Sequence, residues 1–238
     1  MIFTAAYYAL QHLFTQQYRT MIWKVLELTF FVLFIIWLCT YQFFMPYFAL
    51  WVAHFIPGLI IYWTKWIELS ILIIFNLGLS FFIAFFIAPI AAMIGSFFID
   101  NAAEIIEKEN YPNEPIGKSM SFGYSFIFAL KFFILSLFGN GIAFFLFFIP
   151  GINLITFYVI NGYLFGREYF IFTAYRFRSK KEAHAFLRTH HTTVFGAGLL
   201  IAFFVSIPIL NLVTPLFAAA FMTHLHKMVS HQTPRSSY

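Results

Sequence analysis

Two long apolar runs dominate the pattern of hydrophobic and polar positions along this chain. No Asp, Glu, Lys or Arg occurs from 28 to 45 or from 69 to 99. A membrane-spanning helix needs about 20 apolar residues. We therefore predict transmembrane helices over 21–45 and 66–99, with Pro46 ending the first. The second run exceeds the thickness of the hydrocarbon core, so we expect it to tilt, to kink near Pro89 or to project beyond the bilayer.

The N-terminal segment has a different pattern, in which apolar and polar residues alternate with helical spacing. The apolar positions are Phe3, Ala6, Tyr7, Leu10, Leu13 and Phe14. The segment 2–18 is therefore predicted to be an amphipathic helix on the membrane surface. The polar stretch that ends at Thr20 is predicted to be the hinge before the first transmembrane helix.

A short motif with a helix-breaking proline occurs twice in the second half of the chain. Ile149-Pro-x-x-Asn-Leu-x-Thr156 recurs as Ile207-Pro-x-x-Asn-Leu-x-Thr214. The uncharged arms at 152–166, 192–206 and 209–222 have 14 or 15 residues, too few to span a bilayer. We predict two helical hairpins, 119–166 and 192–226, that penetrate partway, with Asn153 and Asn211 satisfying backbone groups at their tips. Complete spanning with tight external turns is the alternative, because length fixes topology only loosely.

Composition excludes a soluble globular protein. The 238 residues are 62% hydrophobic and 10% charged, with 37 Phe, whereas soluble domains are about a quarter charged. We predict a single all-α integral membrane domain over 1–238. The one cysteine, Cys39, lies in an apolar run, which excludes a disulfide or a cysteine metal site. The N-terminus lacks the pattern of a cleaved signal peptide.

The distribution of basic residues predicts an orientation in the membrane. The segment 46–64 contains no Lys or Arg, whereas basic residues flank the other ends of the two predicted helices at Arg19, Lys24, Lys108 and Lys118. The positive-inside rule therefore places both outer ends of this helix pair in the cytoplasm. A second basic cluster, from Arg167 to Arg188, holds six Lys or Arg against two Glu and is interpreted as a water-facing flank.

Charged residues near the first hairpin are candidates for a structural or an ion-conducting role. Arg167 and Glu168 are adjacent, so they face different directions on a helix and need different partners. We expect Arg167 to pair with an acid from 100–109. Lys131, in an apolar arm, is explained either as a functional intramembrane charge or as a lysine that snorkels to the interface.

The histidines do not indicate a metal site or an enzyme. His224 and His226 point to different helix faces, no acid follows closely, and no His-Glu-x-x-His motif occurs. The expectation is that these histidines lie at the interface near a helix C-terminus. No serine or cysteine lies in a nucleophile motif. We therefore predict no catalytic residue, no metal and no cofactor.

Four segments resemble a known family. They are Asn161-Gly-Tyr-Leu-Phe-Gly-Arg-Glu-Tyr-Phe170, Phe186-Leu-Arg-Thr-His190, Val194-Phe-Gly-Ala-Gly-Leu-Leu-Ile201 and Ile207-Pro-x-x-Asn-Leu-x-Thr-Pro215. They are similar to the CysZ sulfate-uptake family, within a wider group that includes the eukaryotic etoposide-induced membrane proteins. The resemblance implies two long transmembrane helices, two hemi-penetrating hairpins and a dimer or higher oligomer whose members can pair in opposite orientations. It also implies sulfate transport across the bacterial inner membrane for cysteine synthesis, without a bound cofactor. We expect no nucleic-acid partner, because the basic residues form no stripe with stacking aromatic residues.

The resemblance also implies a site for sulfate after the first amphipathic helix, where the family carries a Gly-Leu-Arg-type motif. This chain has Gln16-Gln-Tyr-Arg-Thr20 there, which keeps the arginine and lacks the glycine. The predicted substrate-binding residues are therefore Arg19, Gln17, Tyr18 and Thr20. Arg19 also fits a simple positive-inside anchor. The predicted ion route or structural network consists of Arg167, Glu168, Asn153 and Asn211.

Two other functions are compatible with these observations. One is a non-transporting membrane-shaping or assembly protein of the wider etoposide-induced group. The other is an enzyme that acts on lipid, for which the histidines are the only support in the sequence.

Overall fold

The computed structural model describes residues 1–55, 60–119 and 152–232 and single positions between 123 and 141, and most of these residues are α-helical. No strand occurs among these residues. The predicted all-α class is confirmed.

The helices of the three described ranges are α1 (Ile2–Leu13), α2 (Gln16–Phe55), α3 (Ile60–Phe97), α4 (Ile99–Asn110), α5 (Ile152–Phe177), α6 (Lys180–Thr189), α7 (His191–Ser206) and α8 (Pro208–Gln232). Three of their segments are long and apolar enough to cross a membrane, at Gln16–Phe44, Ile73–Phe97 and Pro208–Gln232. Helices α6 and α7 meet at a bend of 87° and could form a fourth, broken span. The protein is therefore an integral membrane protein with three or four candidate spans in the described ranges.

The sequence had predicted that α2 ends at Pro46, and this prediction was wrong. The helix continues through this proline to Phe55, and α3 likewise contains Pro89. A proline removes one backbone hydrogen bond, but transmembrane helices tolerate it when neighbouring groups compensate. The prediction treated Pro46 as a stop because it used the soluble-protein rule.

The returning arms of both predicted hairpins are longer than the uncharged runs suggested. The first hairpin, predicted to end at Gly166, continues to Phe177 in α5, and the second, predicted to end at His226, continues to Gln232 in α8. Arg, Glu, Lys and His are compatible with helix formation, so a change in charge does not mark a helix end. The tip at 149–151 lies outside the described residues. The partway depth of the hairpins stays a prediction.

Contacts within the chain divide it into two units. One unit is Glu27–Ile87, from α2 and α3. Its helices leave large aromatic side chains exposed: Phe30, Phe31 and Phe81 are each at least 60% exposed. An apolar helix surface of this kind suits contact with lipid chains.

The other unit comprises Met1–Leu26 and Ala88–Tyr238, and α8 is its central helix. Every residue from Thr214 to Lys227 is buried. The neighbours that surround α8 are α1, α4, α5 and α7. A helix that is buried on all sides needs neighbours on all sides, so α8 organises the packing of this unit.

Glycines allow α5 and α7 to approach closely. A Cβ atom at Gly166 would lie 2.5 Å from the Val194 carbonyl oxygen, and one at Gly198 would overlap the Gly162 carbonyl oxygen. The Gly162-x-x-x-Gly166 spacing puts both glycines on one side of α5, a pattern used where membrane helices pack backbone to backbone. The segments that carry the family resemblance therefore include this helix contact.

Candidate functional site

The break between α1 and α2 lies at Phe14 and Thr15. The sequence had predicted a surface helix over 2–18 and a hinge in the polar stretch that ends at Thr20. Instead α1 ends at Leu13, and α2 begins at Gln16. The Thr15 hydroxyl donates to the His12 carbonyl oxygen at 2.8 Å, which closes the end of α1. The tight two-residue break leaves no room for a longer hinge.

The predicted anion-binding residues therefore form the first turn of α2 and the residue after it. The Arg19 N–H donates to the Thr15 carbonyl oxygen at 2.9 Å, as the first bond of the helix. The N–H groups of Gln16, Gln17 and Tyr18 precede that bond and have no acceptor in a previous helical turn. They carry the partial positive charge of the helix N-terminus.

The side chains of these residues point in different directions. Arg19, Gln17 and Thr20 are exposed, and the Thr20 hydroxyl donates to the Gln16 carbonyl oxygen at 3.0 Å. Tyr18 is fully buried, and its hydroxyl donates to the Ala102 carbonyl oxygen in α4 at 2.9 Å. The structure therefore gives Tyr18 a packing role and leaves no part of this residue exposed to a ligand.

An acidic cavity lies on one side of this turn. It has a volume of about 280 Å³ and is lined by Gln17, Asn101, Glu104, Ile105, Lys108 and Glu109. A hydrogen bond from Lys108 lowers the pKa of Glu104, so this carboxylate is charged at neutral pH. Two carboxylates face one ammonium group here, which disfavours a dianion in this cavity. An anion would have to approach Arg19 from another side.

The sequence analysis predicted the wrong arginine as the partner of the acids in α4. Arg167 was expected to pair with an acid from 100–109, but Arg167 is exposed. Arg176, nine residues later in α5, occupies that place instead. Its Nε donates to Glu107 Oε1 at 2.9 Å, and its Nη1 pairs with Asp100.

The buried Arg176 also fixes the loop after α4. Its Nη2 donates to Glu107 Oε2 at 3.2 Å, and the Gly117 N–H donates to the same carboxylate oxygen at 2.7 Å. The Lys118 N–H donates to the Arg176 carbonyl oxygen at 2.9 Å. The arginine and Glu107 are about 98% and 99% buried. This network holds α4, the loop and α5 together, and the sequence had not identified Arg176.

Glu168 pairs with a lysine from the other arm of the first predicted hairpin. Lys131 Nζ lies 2.6 Å from Glu168 Oε2, with the lysine half-exposed and the glutamate largely buried. The pair joins the two arms of the first predicted hairpin. It gives Lys131 a structural role that neither of the two earlier explanations included.

The second hairpin places its polar residues beside a small cleft. The cleft has a volume of about 20 Å³, enough for about one water molecule. It is lined by Ala92, Phe165, Tyr169, Val205, Asn211, Thr214 and Pro215. Asn211 is half-buried, whereas Thr214 is buried with its hydroxyl on the Leu210 carbonyl oxygen at 2.9 Å. The side chain of Asn153, the equivalent residue in the first hairpin, lies outside the described residues.

His224 and His226 of α8 are core residues, whereas the sequence had predicted interfacial ones. His224 and His226 are 1% and 2% exposed. His224 Nδ1 lies 3.1 Å from the hydroxyl of Tyr111, and the His226 ring stacks on Phe177 with centroids 5.2 Å apart. Hydropathy alone underestimates how often histidine is buried among aromatic rings. In the described part of the chain, no three or more His, Cys, Asp or Glu are grouped to hold a metal ion.

The loop after α4 is tied to the end of α8. Glu114 contacts Lys227 Nζ at 2.7 Å and His231 Nε2 at 2.9 Å. Burial raises the pKa of Tyr111 to about 12, with help from the negative charge of Glu114. Burial would also raise the pKa of Glu114, but the hydrogen bonds and charges of Lys227 and His231 outweigh it and lower this pKa.

Comparison with protein families matches residues 5–215 to the family described as sulfate transporter CysZ/etoposide-induced protein 2.4. The matched range includes the α1–α2 break, the acids of α4 and both motifs of the predicted hairpins. A search of curated proteins returned no match.

Proposed function

The chain belongs to the family of the sulfate transporter CysZ and etoposide-induced protein 2.4, and on this premise we propose that it moves sulfate or a related oxyanion across a membrane. The observation that carries the proposal is the family match over residues 5–215. No Gly-x-x-x-x-Gly-Lys loop for nucleotide occurs in the sequence. Movement down a gradient is therefore part of the proposal.

Capture of the anion takes place at the N-terminus of α2. The guanidinium of Arg19 is exposed beside the N–H groups of Gln16 and Gln17, which come before the first hydrogen bond of α2. Helix N-termini stabilise anions, and a guanidinium can donate two parallel hydrogen bonds to two oxygens. The Gln17 amide is exposed on the same turn and adds neutral donors, whereas the Thr20 hydroxyl proton is used in its bond to the Gln16 carbonyl oxygen. Gln16 and Gln17 stand where the family motif has its glycine, so backbone approach is less open here and selectivity for sulfate depends more on Arg19.

From this turn the anion passes polar groups of the hairpins. Asn211 supplies a neutral donor at the α7–α8 tip, and Arg167 supplies an exposed positive charge on α5. Glu168 belongs to the structural pair with Lys131 and does not line this route. Asn153 is the corresponding donor of the first hairpin.

The cellular setting in this proposal is the bacterial inner membrane, where the protein is a multi-pass homo-oligomer that supplies sulfate for cysteine synthesis. Its ligands are sulfate or related oxyanions and the bilayer lipids. The family comprises transporters and other membrane proteins, which fits a non-enzymatic role.

Sulfate uptake into liposomes tests the proposal. The purified protein is expected to give flux above empty vesicles, and Arg19→Ala is expected to reduce it at least about tenfold, since a hydrogen-bonded charge contributes ~1.5–3 kcal/mol. Lys24→Ala is the matched control because Lys24 is also exposed and basic, five residues further along α2. It is expected to keep the wild-type rate.

Each result has a clear meaning. Absence of flux above empty vesicles would reject transport and favour the membrane-shaping alternative. Equal loss in Arg19→Ala and Lys24→Ala would keep transport but reject specific capture at Arg19 in favour of a general effect of positive charge. Competition by selenate or molybdate identifies the anion class.

A further inference from the structure

Helix α6 exposes a row of basic side chains. Lys180, Lys181 and Arg188 are exposed, and His184 lies half-buried between them. At 3.6 residues per turn these four positions fall within about 100° of the helix circumference. We propose that this basic face binds the headgroups of anionic phospholipids at the membrane–water boundary.

The opposite side of α6 is fixed to the protein core. Ala183 packs with Ile171 and Ala174 of α5. Phe186 is fully buried and stacks on Phe170, with ring centroids 5.7 Å apart. The guanidinium of Arg178 lies 4.0 Å from the centroid of the Phe186 ring, in cation–π geometry. The basic face is therefore held in place before any lipid arrives.

The angle between α6 and α7 places α6 along the membrane surface. The two helices meet at His190 with a bend of 87°. Helix α7 carries no charged residue after His191 and is apolar. If α7 enters the bilayer along its normal, α6 lies nearly parallel to the membrane plane.

The exposed side chains of α6 differ in chemistry from those of the helices before and after it. On α5 the exposed residues from Ile155 to Tyr163 are apolar or aromatic, and the exposed Arg167 follows them one turn nearer to α6. On α7 the exposed Phe203 is also aromatic. On α6 the exposed side chains are mainly basic. A change from apolar to basic surface is expected where hydrocarbon gives way to headgroups.

The charge pattern fits several headgroups better than one free ion. Lys180 and Arg188 are separated by about 12 Å along the helix axis. The acid of α6, Glu182, is used in the capping box, where its Oε2 accepts from the Ser179 N–H at 2.9 Å. Each Lys or Arg near an anionic leaflet strengthens attraction about fivefold. A row of three such cations therefore suits a charged lipid surface.

Quenching by brominated lipids tests the proposal in the full-length chain. A fluorophore is attached at Thr189→Cys in a Cys39→Ser background, because Cys39 is the one cysteine in the sequence. The liposomes contain phosphatidylcholine with either brominated phosphatidylglycerol or brominated phosphatidylcholine. We expect the anionic lipid to associate about fivefold more strongly with the labelled site at low salt. At high salt the preference should disappear, because the Debye length becomes short.

The matched variants separate charge from shape. Lys180→Gln/Lys181→Gln/Arg188→Gln is expected to abolish the preference for the anionic lipid, whereas Lys180→Arg/Lys181→Arg/Arg188→Lys keeps it. All three side chains are exposed, so both variants should fold. Equal quenching by both lipids at low salt, or a preference that survives in the glutamine variant, overturns the proposal. Protection from both lipids also overturns it and indicates a second protein copy over α6.

Discussion

Arg176 carries its positive charge in a site that water does not reach. Its guanidinium is bound by Glu107 and Asp100 and also contacts the Gly117 carbonyl oxygen. Buried ion pairs cost desolvation energy, but removing one partner costs more because the other charge is left unpaired. At the scale of residues, this is the contact on which the loop at 111–118 depends most.

Replacement of Arg176 should therefore destabilise the protein strongly. We expect Arg176→Met to lower the free energy of unfolding by ~3–5 kcal/mol, because Glu107 would be left buried and unpaired. Arg176→Lys should lose less, since it keeps the charge but not the two-pronged geometry. Chemical unfolding in detergent measures both, with the exposed Arg167→Met as the control on the same helix. Equal effects of Arg176→Met and Arg167→Met would contradict the role of the buried network.

Glu114 gives a pH dependence of known sign. Its pKa is lowered in the folded protein from an ordinary value near 4.5. A carboxyl whose folded pKa is depressed stabilises the fold above its unfolded pKa, and this contribution is lost as pH falls through the folded pKa. As pH is lowered below about 4.5, we expect the thermal unfolding temperature of the wild type to decrease more steeply than that of Glu114→Gln. Parallel pH profiles for the two proteins would show that the contacts with Lys227 and His231 add no stability.

At the scale of elements, the contact between α5 and α7 depends on the absence of side chains. Gly162 and Gly166 of α5 face Gly198 of α7 at distances that exclude a methyl group. Within a membrane the hydrophobic effect contributes little to helix association, so close van der Waals packing must supply the attraction. The glycines are thus needed for their size at this contact and not for backbone flexibility.

Gly198→Ala should separate α5 from α7. We expect a loss of ~1–3 kcal/mol or more, because the added methyl overlaps the Gly162 carbonyl oxygen. Gly78→Ala is the control: a Cβ there meets no atom within 4 Å, and alanine is the better helix former. Thermal unfolding in detergent compares the two. A Gly198→Ala protein as stable as Gly78→Ala would show that the helices can move apart without cost.

At the scale of the whole molecule, three contacts bring distant parts of the chain to one side of the unit around α8. Arg176 joins the end of α5 to Gly117, and Glu114 joins the same loop to Lys227 near the end of α8. His12, near the end of α1, lies 3.4 Å from Glu109 Oε2. These contacts predict that the loop after α4 and the end of α8 share one side of the membrane.

Cysteine labelling checks this arrangement. In a Cys39→Ser background, Ile116→Cys and Gln232→Cys are both at exposed positions. A membrane-impermeant maleimide should label the two positions to the same extent from the same side, including in a population that inserts in both orientations. Labelling of the two positions from opposite sides would exclude the arrangement around α8.

The local pattern of residues was enough to predict that the protein lies in a membrane, that it is helical and to which family it belongs. Uncharged runs at 28–45 and 69–99 are properties of neighbouring residues, so they can be read without knowing the fold. The position of Arg19 near the start of a membrane helix is local in the same sense. Helix ends at Phe55, Phe177 and Gln232 were missed because proline and charge do not end a helix that its neighbours support.

Which polar residues are buried depends on contacts between distant parts of the chain. Arg176 and Glu107 are 69 residues apart, and Tyr18 and Ala102 are 84 residues apart. Nothing in the local pattern distinguishes Arg176 from Arg167, since both lie in the same helix. Arg176 is the buried arginine because its side of α5 faces the acids of α4. That orientation results from the packing of α4 and α5 around α8.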